Sequence, residues 1–544
     1  MELLLASAHT AHWSITALFA LLLVGLILCL ALEEKIHAKK SIIAASFAAI
    51  CLLLGTFTGI LSFEKIVVGS HRAELRANDE VEVLIYSEED PDSSEVIEVT
   101  GDASDADESQ ESHESPADDH GDRDDDEDHG DHGKSEHHTL HVDGHRLSTP
   151  VYIPGVDWSV IAIILGSSLF VDVTSKSGLF TWIAVKVTKA SGGDPRRLLY
   201  FYGLMTVVFS AVLNNVTAMI IVGSLTAVSL DKLKQNKLLL GFLLIEGLLT
   251  NVGGLLTLIS SVPNIIVGTA ADISFVTFFV KSAPFVVVAT LLTLWMGALL
   301  FGIGKLKDQA AKEEAKSLVA GFDENDGVES WGFFRFSVAM LLLFIVTIAT
   351  TSALPGVSKL GMGFVAMTFA VVMLWRFKSD VNRFYSAVDW DLLGFFIALF
   401  MVIYVMEHAL VLERIGDGLQ MVMSDISAEN PSAKDASLLL IGSAFFSSVT
   451  DNIPLAAMFA SILSNLGAPE SSTLWWSVIF GANLGGNITP IGSASTLVAV
   501  TIMHKHKLPL SFAGFVKAAI PYAIVQIVLA LAYVVFVLPM IKFG

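Results

Sequence analysis

The sequence predicts an all-α polytopic membrane protein whose body consists of two similar halves. Three observations carry this expectation. The 544 residues are 53% hydrophobic and only 16% charged, whereas soluble domains carry roughly 25% charged residues. The apolar residues gather in unbroken runs such as 13–32 and 518–541, and about 18 in a row suffice to cross a ~30 Å hydrocarbon core. Short polar motifs recur along the chain at a nearly constant separation.

Two apolar stretches, 13–33 and 41–63, read as the first transmembrane helices. The first lacks the basic leader of a signal peptide and is long enough to span. The turn between them carries Lys35, His37, Lys39 and Lys40, and the positive-inside rule puts such a turn in the cytoplasm. The segment 64–150 then lies outside a cytoplasmic membrane. Between Glu74 and Arg146 it holds 27 acidic and 4 basic residues, against a net charge of −22 for the whole chain, so the rest is nearly neutral. A neutral body has no basic patch for nucleic acid. The Asp/Glu/Ser/His-rich insert is expected to be mostly disordered, with 81–86 and 95–99 alternating as a small β element would. Cys29 and Cys51 lie in apolar runs without metal-ligand spacing and read as small buried hydrophobes.

The body divides into a first repeat, 151–320, and a second, 321–544. Its basic clusters are Lys186/Lys189/Arg196/Arg197, Lys232/Lys234/Lys237, Lys305/Lys307/Lys312/Lys316, Arg376/Lys378/Arg383 and Lys505/Lys507. Placing them all inside makes 198–231 enter and leave through one face, as two half-depth helices. The same reasoning makes 436–466 a hairpin entering from outside. Irregular backbone at that depth survives only within protein or along a cavity. The halves share three motifs in order. Val156-Asp157-Trp158 returns as Val388-Asp389-Trp390, and Asn251-Val252-Gly253-Gly254 as Asn483-Leu484-Gly485-Gly486, both at an offset of 232. Between them, Asn214-Asn215-Val216-Thr217 answers Asp451-Asn452-Ile453-Pro454 at an offset of 237. Equal order with opposite orientation is an inverted repeat, with two re-entrant hairpins and two broken transmembrane helices.

The candidate site lies in the hairpin tips and the Gly-rich breaks. The tips offer Asn214, Asn215 and Thr217, then Thr450, Asp451 and Asn452. The first break offers Asn251, Gly253, Gly254, Thr257 and Asn264, with Ser260 and Ser261. The second offers Asn483, Gly485, Gly486, Asn487, Thr489, Ser493 and Ser495, with Thr496. Gly-Gly followed by amides and hydroxyls frees backbone groups at membrane depth, and Pro263 and Pro490 favour the interruption. Freed carbonyls with side-chain oxygens suit a dehydrated Na⁺; freed N–H groups at half-helix N-termini suit an anion. The bland reading is close helix packing through small residues. A carboxylate at membrane depth is costly unless it is used or neutralised, so Asp451 leads the proton-coupling candidates, followed by Asp172, Glu246 and Glu407, all expected to be buried; for Asp451 the rival reading is a helix cap. His129, His132, His137 and His138 in the insert form a possible weak metal site, without the spacing of a closed structural site. No HExxH, GxSxG or Walker motif argues for an enzyme, and no cofactor is implied beyond Na⁺ or H⁺ as coupling ion.

SSVTDNIP (447–454), FGANLGGNITPIGSAS (480–495), LLIEGLLTNVGG (243–254), VPNIIVG (262–268) and VDWDLLGFFIALF (388–400) resemble signatures of the ion-transporter superfamily. The nearest branch holds arsenite permeases, the pigmentation P protein and NhaD-type sodium:proton antiporters, with a citrate-transporter-like domain. The likeness covers about 151–544, with a weaker match at LEEKIHAKKS (32–41). It implies a scaffold plus a transport domain of two hairpins and two broken helices, moving as an elevator in a homodimer. Related sequences commonly carry Asp-Asn at both tips, whereas this chain has Asn214-Asn215 at the first. The expected function is secondary active transport of a small ion across a lipid bilayer, foremost sodium:proton antiport. The alternative is an anion carrier for arsenite, chloride or a carboxylate; a channel or a membrane metal sensor is more remote.

Overall fold

The computed structural model describes residues 12–61, 65–69, 144–148 and 153–541, apart from 352, 353, 355, 379, 380, 386, 387, 425, 429, 430, 451 and 509. The chain forms two compact units, Met1–Thr10 with Phe63–Pro150, and Ala11–Ser62 with Val151–Gly544. In the first, β1 (Lys65–Gly69) and β2 (Gly144–Ser148) pair antiparallel, Lys65 opposite Ser148 and Gly69 opposite Gly144. This ribbon joins the two ends of the insert, where the sequence suggests none. The stretches 81–86 and 95–99, the predicted disorder and the four histidines lie outside the described residues.

The second unit is helical. It opens with α1 (Trp13–Ala31), the short α2 (Glu33–Ile36) and α3 (Lys40–Phe57). Helix α3 stops short of the predicted boundary because Gly59, at φ +71°, lets the Ile60 N–H turn back onto the Gly55 carbonyl at 3.1 Å, a close that favours glycine. Seven helices follow: α4 (Trp158–Lys176), α5 (Leu179–Ser191), α6 (Pro195–Val212), α7 (Asn215–Lys232), α8 (Leu239–Gly254), α9 (Val262–Ala270) and α10 (Phe275–Leu300). Then come the polar α11 (Gln309–Ala320), α12 (Trp331–Ala349), α13 (Val357–Arg376) and the short α14 (Val381–Tyr385). The last seven are α15 (Trp390–His408), α16 (Val411–Gln420), α17 (Ala433–Val449), α18 (Asn452–Asn465), α19 (Thr473–Gly485), α20 (Ala494–Lys505) and α21 (Phe512–Ala532). Nine helical stretches among the described residues are long and apolar enough to cross a membrane, and many of their large apolar side chains, such as Leu21, Trp295 and Trp375, face outward. This is the architecture of a multi-pass membrane protein.

Helices α4–α10 and α15–α21 run in the same order. The recurring Val-Asp-Trp is an N-cap in both: Asp157 accepts from the Val160 N–H and Asp389 from the Leu392 N–H, each at 3.0 Å, satisfying an otherwise orphaned amide. Helix α13 packs along α4 and α3 along α15. Between α4 and α13 a methyl group on Gly166 would stand 2.5 Å from the Ala366 carbonyl carbon.

The hairpins differ from the prediction in length. Helices α6 and α7 have 18 residues each, about 27 Å at ~1.5 Å per residue, and α17 and α18 have 17 and 14. Each is longer than half of the ~30 Å core. The charged flanks Pro195-Arg196-Arg197 and Asp231-Lys232, read as ends outside the core, are helical turns, and Asp194 caps the Arg197 N–H at 3.0 Å. None of the four hairpin helices is among the nine candidate spans.

Candidate functional site

The two breaks meet in one buried amide and hydroxyl network. Helix α8 ends at Gly254 and α9 resumes at Val262; α19 ends at Gly485 and α20 resumes at Ala494. Asn251 donates Nδ2 to Asn487 Oδ1 at 2.8 Å, and its own Oδ1 accepts from Ser493 at 2.9 Å and Ser495 at 3.1 Å. In the other direction Ser261 donates to Asn483 Oδ1 at 2.7 Å, and Asn483 Nδ2 donates to Asn264 Oδ1 at 2.9 Å. All of these side chains are at most 6% exposed. Ser261 and Ser493 are related by the same offset as Asn251 and Asn483. The two serine–asparagine bonds are therefore the same bond made twice, crossing between the halves.

The hairpins dock on the breaks by the same rule. Ser210 donates to the Thr250 carbonyl at 2.6 Å and Ser447 to the Ala482 carbonyl at 2.5 Å. Thr257 donates to the Ala211 carbonyl and Thr489 to the Ser448 carbonyl, both at 2.6 Å. Each residue in these pairs corresponds to its counterpart at the offset of its own motif, hairpin or break. The close approach needs glycine. A methyl on Gly253 would stand 2.7 Å from Val207 Cα, and one on Gly485 would stand 2.3 Å from the Ala444 carbonyl oxygen and 2.7 Å from its Cα. A methyl on Gly486 would stand 2.9 Å from the Gly492 carbonyl oxygen.

At the first tip Asn215 rests on Gly254 and reaches Asn251 Oδ1 at 3.4 Å. Asn214 does not join the network. It is exposed, and its Oδ1 caps α7 by accepting the Thr217 N–H at 2.7 Å, as its role at the N-cap favours; this engages Thr217 through its backbone. At the second tip Asn452 is 7% exposed, Thr450 closes α17 on the Phe446 carbonyl, and Asp451 lies outside the described residues. The carbonyls freed by the first break are already engaged: Asn264 Nδ2 donates to those of Gly254 and Thr257 at 2.7 and 3.0 Å, and Ser260 also donates to that of Gly254 at 2.6 Å.

The candidate acids separate. Glu246 is fully buried in α8, with Oε1 accepting from Thr226 at 2.6 Å. Asp172 is half-buried in α4. Glu407, expected to be buried, is exposed in the last turn of α15, because the helix ends there and that side turns outward from the bundle. Among the described residues no cluster of three or more His, Cys, Asp or Glu side chains is placed to hold a metal.

Two participants go beyond the sequence reading. Gln526 of α21 accepts Asn487 Nδ2 at 2.8 Å and donates to Thr293 of α10 at 2.9 Å, so a third pair of helices fixes which way the Asn487 amide points. The available signal is a lone glutamine in a long apolar helix. The docking serines also carry one: FSAVLNN (209–215) recurs as FSSVTDN (446–452), a longer repeat than the tip motif alone.

A bundle of apolar helices closed around paired, broken, polar segments defines a multi-pass membrane protein with a buried polar centre. Residues 139–481 match the citrate transporter family. The chain belongs to that family and is a transporter, as the motifs led one to expect. An uncharacterized transporter of Mycobacterium tuberculosis is 30% identical over 388 residues, covering 70% of this chain and 86% of the relative. The human P protein is 25% identical over 466 residues, 72% of this chain and 55% of that protein. Among solved structures, MtrF of Neisseria gonorrhoeae, from a class of antimetabolite efflux pumps, aligns with a TM-score of 0.48 at 13% identity, covering 71% of this chain and 82% of MtrF.

Proposed function

We propose that the protein is a secondary active carrier in a cytoplasmic membrane that exchanges sodium for protons by alternating access, with the insert outside. The observation that carries this reading is the reciprocal network of Asn251, Asn483, Ser261 and Ser493. It gathers uncharged side-chain oxygens from both halves, with no lysine or arginine among its described members. Such oxygens suit a small dehydrated cation. Asp451, which precedes buried Asn452 in the sequence, would be the titrating group, and the inverted repeat would supply a gate on each side. The two hairpins and broken helices would travel together as an elevator, in a homodimer.

Anion transport is the second reading. The family's description as citrate transporters points to a carboxylate. Ser261 directs its hydroxyl to Asn483 rather than capping α9, which leaves that positive helix end open to an anion.

Purified protein in proteoliposomes with an entrapped pH-sensitive dye separates the two readings. Antiport predicts proton movement on addition of Na⁺ or Li⁺ but not of citrate or chloride with an inert cation. Asp451→Asn keeps an acceptor oxygen and the cap, and should abolish pH-dependent coupling while the protein still folds. Unchanged pH dependence in that variant would leave Asp451 as a cap only.

A further inference from the structure

The internal repeat gives each buried residue a counterpart against which its chemistry can be judged. For most of the core the comparison is apolar with apolar. Among the places that break the rule, such as Asp435 against Leu198 and Gln526 against Leu294, one holds a carboxyl group with an unengaged oxygen. At the offset of the break motif, Glu246 of α8 corresponds to Val478 of α19. At the offset of the hairpin motif, its partner Thr226 of α7 corresponds to Leu463 of α18; both counterparts are fully buried. Tyr202 of α6 corresponds to Leu439, also buried. The second half fills this position with hydrocarbon, so the helix packing does not require a carboxyl group there.

Glu246 is fully buried and only one of its oxygens is engaged: Thr226 donates to Oε1, and Oε2 has no hydrogen-bond partner among the described residues. An ionised carboxylate with a single hydroxyl donor in a dry interior is strongly disfavoured. A proton on Oε2 is the smallest group that neutralises it. Beside it runs a line of hydroxyls. Ser229 follows Thr226 at the i,i+3 spacing, on the same face of α7, and bonds the Tyr202 hydroxyl at 2.7 Å, which bonds Thr188 of α5 at 2.5 Å. Thr188 precedes Lys189, whose ammonium pairs with Glu324 at the basic end of α5. Ser229, Tyr202 and Thr188 therefore form a bonded row of buried hydroxyls among α5, α6 and α7, starting one helical turn from Thr226 and ending at the residue before Lys189.

The charged groups on the helices packed around α8 do not reach this carboxyl. Asp231 and Lys232 end α7, Arg196 and Arg197 lie in the first turn of α6 before Tyr202, Lys237 precedes α8, and His504 and Lys505 are exposed at the end of α20. On α10, Gly297 lies against Ile245, which leaves Lys281 more than four turns away, about 24 Å along the axis.

We propose that Glu246 is a proton-carrying site of this transporter, separate from the amide network, exchanging its proton along the Ser229, Tyr202 and Thr188 hydroxyls. The carboxylate takes up one proton on Oε2 in one orientation of the carrier and returns it in the other; no other bond changes. It rests on the proton-coupled reading above and adds a titrating group to the half whose tip carries asparagine.

The test uses wild type, Glu246→Gln, Tyr202→Phe, and a double variant, Glu246→Val with Thr226→Leu, that copies the second half. Two readouts are taken from proteoliposomes: dye-reported proton flux driven by Na⁺, and tracer Na⁺ equilibrium exchange at equal pH, which needs no net proton movement. Glu246→Gln and the double variant should lose proton flux by about tenfold or more and flatten its pH profile while retaining tracer exchange. Tyr202→Phe should slow proton flux several-fold without moving the pH midpoint. Wild-type proton stoichiometry and pH profile in Glu246→Gln would overturn the proposal. So would failure of the double variant to fold, since the carboxyl would then be a packing requirement. Wild-type protein that exchanges Na⁺ but moves no protons refutes both this site and antiport; if protons move with a different ion, only the sodium assignment falls and the variants are read with that ion.

Discussion

Replacing Gly485 by alanine adds one methyl group where helix α19 lies against α17. The new carbon would sit 2.3 Å from the Ala444 carbonyl oxygen, 2.7 Å from Ala444 Cα and 2.8 Å from Ser447 Cβ, roughly 1 Å inside van der Waals contact. Two of these neighbours are backbone, so relief requires the helices to part. Overpacking of this kind costs about 1–3 kcal/mol. Parting also stretches the 2.5 Å bond from Ser447 to the Ala482 carbonyl, worth about 1 kcal/mol. Alanine recovers about 1 kcal/mol in helix propensity, leaving a net loss of about 1–3 kcal/mol. Gly442 on α17 is the control, because a methyl group there meets nothing within 4 Å; Gly442→Ala should be neutral or stabilise by up to ~1 kcal/mol. Thermal unfolding of the two purified variants in the same detergent, with tracer flux in proteoliposomes, measures the difference. If Gly485→Ala melts at or above Gly442→Ala and transports normally, the claim that hairpin docking demands glycine here is wrong.

Asn251→Ala removes the acceptor of two serines and the donor to Asn487, and should destabilise by about 2 kcal/mol and abolish flux; normal tracer exchange would show that the network does not line the transport site. Gln526→Leu removes one of the two acceptors of the Asn487 amide and should lower transport while shifting thermal stability by about 1 kcal/mol, and a variant with full activity would deny it a positioning role. Deleting 101–146 should leave flux measurable at high ion concentration, and total loss in correctly inserted protein would favour the sensor reading. Lys189, the backbone of its own loop and Lys186 hold the Glu324 carboxyl down to about 2 from its usual 4.5; a depressed acid stabilises fully above the unfolded value and loses that contribution as pH falls toward the folded one. The difference in melting temperature between wild type and Glu324→Gln should therefore be constant above about pH 5 and shrink only between about 4.5 and 2, and a change already centred near pH 6 would contradict the pairing.

What the sequence discloses and what it conceals follow from the range of the interactions. Spans such as 13–31 and 390–408 are visible because apolar runs are local, and the breaks at Asn251 and Asn483 because Gly-Gly followed by polar residues is local too. Hairpin helix length is underestimated because charge marks only where a segment meets water, while Arg196, Arg197 and Lys232 belong to the helices themselves. Whether an acid faces inward depends on neighbours far along the chain: Glu246 meets Thr226 across the α7–α8 contact, whereas Glu407 turns outward, and their apolar surroundings in the sequence look alike. The contacts that Gln526 makes with Asn487 and Thr293 tie together three separate helices, beyond the reach of any local pattern.

The change of offset from 232 to 237 and back also marks where this chain tolerates added length. Between Val-Asp-Trp and the hairpin the second half is longer, and the gain falls around the connector from Met421 to Ser432, where the first half needs only Gly192 to Asp194. Between hairpin and break it is shorter again, mostly because α18 has 14 residues against 18 in α7. Two register shifts of opposite sign have left the hairpin-to-break bonds of both halves in place. An epitope tag or fluorescent reporter placed in the 421–432 connector would follow an insertion this architecture has already absorbed, whereas the same insertion between Ser447 and Asn452 would put the hairpin out of step with the break it docks on.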